Sequence, residues 1–244
     1  MYLYELHCHN NVGSACAKWT PEEMVRFYAK RAYTGIVVSD HFMNGNSAVD
    51  RTLPWKEQIE IFCSGYERAK AEGEKCGLDV FFAFEYTSNT YYGQPNNPNR
   101  HKDSIFGCDF LIYGLDKSWL LSKDESILFM PVNAFLKMVR EEGGTVIQAH
   151  PFRLAKSYMD HISLFPEFTD GVEILNANPN TMGPPNHMAE AYSREYGLFP
   201  TAGTDAHGIE SCLAVTKLHM RVDSIQSLID ALKQGNAEFA LVSV

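Results

Sequence analysis

The sequence predicts an α/β barrel, and three observations predict it. Short apolar runs of strand length alternate with helical segments along the chain, giving about seven strands. Five of those runs stop at residues able to bind a metal. Leu3 to Leu6 ends at His7-Cys8-His9, Ile36 to Ser39 at Asp40-His41, Val80 to Phe84 at Glu85, Thr145 to Ala149 at His150, and Phe199 to Thr204 at Asp205-Ala206-His207. A barrel of parallel strands gathers the C-terminal ends of its strands at one mouth, whereas an open sheet gives no reason for ligands at nearly every strand end. Finally, 244 residues with 45% hydrophobic side chains suit one globular domain over 1–244.

The elements follow in order. After the first strand, Thr20-Pro21-Glu22-Glu23 is a helix start, with Thr as N-cap, Pro at the first helical position and Glu three residues after the cap. The helix runs from Pro21 to about Ala32, with Met24, Phe27 and Tyr28 on one face. Gly35 ends the connection and Ile36-Val37-Val38 supplies a buried strand, so the opening is a βαβ unit. There follow a helix from about Pro54 to Lys75, strands Val80 to Glu85 and Phe110 to Gly114, a helix from about Pro131 to Glu142, and strand Thr145 to Gln148. Strand Gly171 to Leu175, helix Asn186 to Tyr196, strand Phe199 to Ala202 and helix Ser224 to Gln234 complete the series. The stretch Ser88 to Asp109, rich in Asn, Pro and Tyr, reads as a long loop on the ligand-bearing face, with Tyr86, Tyr91 and Tyr92 walling a pocket.

In an extended strand residues i and i+2 share a face, so His7 and His9 converge while Cys8 points away, and Asp205 and His207 repeat the pattern. Two histidines can instead cap a strand by hydrogen bonds, but four other strand ends with the same chemistry weigh against that. Asp40 reads as the carboxylate that orients His41, since a metal-bound imidazole usually donates its other N–H to such a group. Glu85 follows five apolar residues, so an unpaired carboxylate there would carry a heavy desolvation cost. Arg153, three residues past His150, is a fork suited to two phosphate oxygens, or equally a surface salt bridge. His161, His187 and His219 read as surface or structural residues, and Glu173 and Asn176 as lining the mouth.

Composition excludes several classes. A formal charge of −9 speaks against a nucleic-acid backbone binder, though not against a small phosphorylated substrate beside bound cations. The six cysteines form no CxxC pair and no dense pattern, which fits a reducing cytoplasm rather than a disulfide framework. No secretory leader or apolar run of ~20 residues is present, so no membrane role is expected. There is no GxSxG elbow, Walker loop or GxGxxG.

His7-Cys8-His9, Ser39-Asp40-His41, Glu85, Ala149-His150-Pro151 and Thr204-Asp205-Ala206-His207, in that order, resemble the PHP (polymerase and histidinol phosphatase) domain family from Tyr4 to about His207. The resemblance implies a distorted seven-stranded (β/α)7 barrel holding two or three divalent ions (Zn, Mn or Fe). It implies that His7, His9, Glu85 and Asp205 hold one ion, that Glu85 bridges to a second that also takes His150, and that His41 and His207 hold a third. In many relatives a His or Asp five or six residues after the HxH completes the third site. Here Ser14-Ala15 occupy that stretch, and Cys16 is either a thiolate ligand or a small buried hydrophobe. For the further ligand to the second ion His101, Asp109 and Asp116 stay open: strand-end geometry favours Asp116 and ligand chemistry favours His101. The implied activity is hydrolysis of a phosphoester by a metal-bridging hydroxide, with Glu85, Asp205 and His207 catalytic and Arg153 binding substrate. Hydrolysis of a non-phosphorus bond, as in amidohydrolases, or a non-catalytic metal-stabilised module are the alternatives.

Overall fold

The computed structural model describes residues 1–88, 95–96, 107–154, 162–179 and 181–244; His101, His161, Tyr91 and Tyr92 lie outside them. The strands are β1 (Tyr2–Cys8), β2 (Gly35–Val38), β3 (Asp79–Ser88), β4 (Cys108–Tyr113), β5 (Thr145–Gln148), β6 (Gly171–Asn176), β7 (Phe199–Gly203), β8 (Cys212–Leu218) and β9 (Ala237–Ser243). The helices are α1 (Pro21–Ala29), α2 (Trp55–Cys76), α3 (Lys117–Leu121), α4 (Val132–Glu141), α5 (Pro184–Tyr196) and α6 (Ile225–Lys233).

Local chemistry sets the helix ends. Thr20 makes the expected capping box with Glu23, and Ser224 makes one with Ser227. α2 stops at Gly77, whose φ of +70° closes the last turn in the left-handed region that glycine adopts without penalty. α1 is shorter than the sequence suggests, ending at Ala29 because Lys30 and Arg31 continue only as a turn.

All strands belong to one sheet in the order β7-β6-β5-β4-β3-β2-β1-β8-β9, nearly closed into a barrel. All seven expected strands form, with two corrections. β4 is antiparallel to both β3 and β5, so the cylinder is not the all-parallel barrel that was expected. Two more strands follow, β8 antiparallel to β1 and β9 antiparallel to β8. The free edge of β1 is therefore shared. Its first residues, Tyr2 to Tyr4, pair with β8, while His7 and His9 bond to the segment leaving β7 through Asp205 N–H to His7 O (2.8 Å) and His9 N–H to Ala206 O (2.9 Å).

Apolar packing fixes which end carries the site. α6 lays Leu228, Ile229 and Leu232 against Tyr4, Phe81 and Tyr113, and so fills the end of the barrel away from the ligands. A second core, between the sheet and helices α2 and α4, joins Phe62, Phe84, Phe110, Phe135 and Leu136. Tyr86 belongs to that core, stacked 3.7 Å from Phe135, and does not wall a pocket as expected. Fully buried side chains of this size contribute roughly 1.5–3 kcal/mol each, an ample base for the polar cluster at the other end. Among the described residues no helix is long and apolar enough to cross a membrane.

Candidate metal centre

The strand ends deliver their ligands to one place. Along β3 the period of two puts Phe81, Ala83 and Glu85 on one face, and along β4 it does the same for Asp109, Leu111 and Tyr113. A register shift in β1 between Glu5 and Cys8 turns His7 and His9 inward, while Cys8 points away and donates its S–H to Val37 O at 3.3 Å. His150 and Asp205 adopt positive φ, +26° and +56°. Such backbone is disfavoured for residues with a Cβ, and two of the three non-glycine cases among the described residues fall on expected ligands.

Six of the seven expected ligands come together in three groups whose ligand atoms lie within 4.8 Å of one another: His7, His9 and Glu85; Glu85, Asp109 and His150; His9, His41 and His207; the seventh, Asp205, stands beside His7 and His9. Glu85 straddles them. Its Oε1 is 3.4 Å from both His7 Nε2 and His150 Nε2, and its Oε2 is 2.7 Å from His41 Nδ1 and 3.6 Å from His9 Nε2. Asp205 Oδ1 lies 3.2 Å from His9 Nε2 and 3.6 Å from His7 Nε2, while Oδ2 takes a 3.0 Å hydrogen bond from Arg153 Nη1. Arg153 thus stands at the rim of the cluster, paired to a ligand-type carboxylate.

Of the two candidates for the further ligand that lie among the described residues, Asp109 is the one beside the cluster. Because β4 runs antiparallel, its first residues stand at the ligand end, and Asp109 Oδ2 reaches within 3.9 Å of His150 Nε2. Asp116, the residue that strand-end geometry favoured, instead caps α3 by accepting from Trp119 N–H at 3.0 Å.

Around the imidazoles stands a set of orienting groups that the sequence only partly suggested. Glu173 takes His7 Nδ1 on one oxygen (3.0 Å) and the His150 N–H on the other (3.0 Å), so it ties the ligands of β1 and β5 together rather than merely lining the mouth. Asp40 does not touch the His41 ring as expected. It accepts from Asn10 and, at 2.8 Å, from Ser14 Oγ, and Ser14 in turn meets His9 Nδ1 at 3.2 Å and accepts the His41 N–H at 2.9 Å. Glu5, fully buried, accepts from the N–H groups of His7 and Thr204 and from Tyr28 Oη, locking β1 to β7 below the site. His187 is exposed, as expected, and so is His219, which read as structural.

Electrostatics point the same way. Burial alone would neutralise His7, but Glu173, Glu85 and Asp205 outweigh it and raise its pKa well above the ordinary value. Burial opposes the charges of Glu85 and Asp205 too, yet His41 and His7 hold the first, and His7 with His9 the second, well below the usual carboxylate range. His9, buried and beside His207 and His41, is held neutral. The carboxylates thus demand positive charge where a neutral imidazole offers a lone pair.

A divalent ion fits this arrangement. Both oxygens of Glu85, Nε2 of His7 and His9, and Nδ1 of His41 are buried without a hydrogen-bond partner. Polar atoms so placed cost roughly 1–3 kcal/mol each unless something satisfies them, and mixed imidazole and carboxylate donors are what Zn, Mn and Fe take.

Comparison with known proteins agrees. Residues 183–237 match the model of the PHP-associated family (PHP_C). No curated protein sequence matches the chain. Among solved structures the fold resembles a two-domain protein of Bacteroides vulgatus, named for a PHP-like metal-dependent phosphoesterase assigned by prediction, with TM-score 0.61 and 11% identity over 98% of this chain and 64% of that one. It also resembles a protein of Bifidobacterium adolescentis provisionally named a metal-dependent phosphoesterase (TM-score 0.54, 12% identity, 94% and 95% covered). A third likeness is to an amidohydrolase of Chromobacterium violaceum solved with bound sulfate and no metal (TM-score 0.60, 12% identity, 98% and 97% covered). A PHP-associated segment thus closes a chain whose fold is that of structures named for PHP-like metal-dependent phosphoesterases.

Proposed function

We propose that this protein is a metal-dependent phosphoesterase that hydrolyses a small phosphorylated substrate in the cytoplasm. The observation that carries the reading is the convergence of buried, unpartnered donors of His7, His9, His41 and Glu85 beside an arginine. Two or three divalent ions held there would lower the pKa of a coordinated water and polarise a phosphoryl oxygen. Glu85, with one oxygen beside His7 and the other beside His41, would serve more than one ion. His7, His9, His150, Asp109 and Asp205 complete the ligand sets, and Glu173 and Ser14 hold the rings in place. Arg153, 14% exposed and seated on Asp205, neutralises charge on the incoming phosphoryl group. His207 is partly exposed and Asp205, buried, is bonded to Arg153, and one of the two would relay a proton to the leaving oxygen.

Hydrolysis of a C–N bond is the second reading, supported by the amidohydrolase name of one structural neighbour. Against it, no lysine stands at the end of the five ligand-bearing strands. The test is turnover of a phosphate monoester by protein reloaded with Mn, Zn or Fe, with inhibition by low inorganic phosphate. Glu85→Ala must lose that turnover while keeping its circular dichroism. Turnover of amides alone, or one ion per chain with no hydrolysis of either class, would defeat the proposal.

A further inference from the structure

Outside the metal centre the chain carries a second concavity with its own chemistry. A groove of about 700 Å³ lies between α1 and the segment that follows His207. It begins one residue past that histidine. Lys18 N–H bonds to His207 O (2.7 Å), and a Cβ on Gly208 would stand 3.7 Å from Lys18 Cβ, so groove and cluster share a lip.

The walls are aromatic and cationic. Trp19 and Phe27, with ring centres 5.3 Å apart, form the apolar side, and Ile209 stands at the lip, 81% exposed. Lys18, Arg26, Lys30 and Arg31 bring four positive charges against one carboxylate, Glu23, in a chain whose net charge is −9. Glu23 is engaged with the Thr20 N–H at 2.8 Å, and Arg26 with Glu72 at 2.6 Å. Among the described residues Lys18, Lys30 and Arg31 form no ion pair, and the Arg31 guanidinium lies 3.7 Å over the Phe27 ring. Lys30 and Arg31 follow the C-terminal end of α1, where its dipole favours cations. Lys18 stands two residues before the Thr20 cap, at the end where a cation is disfavoured, so the helix gives no reason for its charge.

We propose that the groove holds the departing half of the substrate, with a flat ring against Phe27 and Ile209 and a second anionic group on Lys18 and Lys30. The substrate class is a phosphate monoester of an aromatic alcohol that bears its own carboxylate, sulfonate or phosphate. A ring laid on an aromatic wall gains buried area and stacking, and an ammonium beside it anchors one end by charge-assisted hydrogen bonds. The part in turnover rests on the phosphoesterase reading, whereas affinity for anionic rings rests on the groove alone.

Two experiments on the full chain separate these. Calorimetric titration of naphthalenesulfonate into the metal-stripped protein should show one site. Its affinity should fall at least ~10-fold in the double variant Lys18→Glu with Lys30→Glu, and stay unchanged in Lys137→Glu, an exposed lysine of α4. In metal-loaded protein, KM for a sulfonated naphthyl phosphate should lie at least ~10-fold below that for plain naphthyl phosphate. That ratio should collapse toward one in the double variant and shrink with rising salt. No binding of naphthalenesulfonate to the natural chain, or binding that the double variant keeps, would overturn the groove as a site. Binding with equal KM values for the two esters would overturn its part in turnover. Absence of all phosphoester turnover, with the sulfonate still bound and still sensitive to Lys18 and Lys30, would defeat the phosphoesterase reading and leave the groove standing.

Discussion

Replacing Gly203 by alanine tests how the fold aims its first histidine. Where β7 passes β1, a Cβ on residue 203 would sit 2.3 Å from His7 Cβ and 2.5 Å from Glu173 Oε1. Carbon atoms rest at ~3.5–4.0 Å, so the strands or the imidazole must yield by about 1.2 Å or more. Neither neighbour is the loose end of a flexible side chain, for Glu173 is buried and bonded to His7. Overpacking of this kind costs ~1–3 kcal/mol, which for a chain of this length lowers Tm by about 2–12 °C. His7 moves with the strand, so metal affinity should fall ~10–100-fold, as when an orienting partner is lost. Gly77→Ala is the control: φ is +70° with nothing within 4 Å, so the left-handed backbone costs ~1–2 kcal/mol without touching a ligand. Differential scanning fluorimetry with zinc titration calorimetry separates the two. If Gly203→Ala binds zinc like the natural protein, or both variants lose affinity alike, close passage of β7 is not what positions His7.

Other outcomes follow from the same geometry. Asp109→Asn should lower bound metal by one ion per chain on elemental analysis, while Asp116→Asn leaves it unchanged; the reverse would restore the strand-end assignment. Ser14→Ala removes the group between Asp40 and His9, and zinc affinity should fall ~10–100-fold with Tm of the stripped protein little altered. Chelation should lower thermal stability, by ~2.7 kcal/mol for each site that had been held at 100 times its Kd, and restored zinc should reverse it. Under the phosphoesterase reading, Arg153→Met should raise KM for a phosphate monoester by at least ~10-fold, with Arg153→Lys recovering only part because the fork is lost.

The strand ends were legible because metal chemistry restricts residue type: only a few side chains can end an apolar run in that way, and six of the seven ligands the sequence marked fall in the ligand groups, with Asp205 beside His7 and His9. Direction was not legible. Alternation along Cys108 to Tyr113 is the same whichever way the strand runs, so the assumption of a parallel strand put Asp116 ahead of Asp109 until β4 proved antiparallel. β8 and β9 escaped notice because neither ends in a ligand, and β9 has no buried residue, with a weak apolar face. The orienting groups were half visible. Glu173 and Asp40 stood out as acids near strand ends, but which ring each serves depends on a turn through Asn10 and Ser14 that has no periodic signature.

The shared edge of β1 carries one more consequence. The peptide groups that zip β1 to the segment leaving β7 belong to His7, His9, Asp205 and Ala206, three of which also bear ligands of the cluster. Opening the cylinder along that line would pull histidine and aspartate apart in the same movement, so an ion held between them would be a rivet across a stretch where the two edges meet on backbone bonds. Amide hydrogen exchange at His9 and Asp205 should therefore slow on loading and quicken on chelation, ahead of any change in β3 or β4.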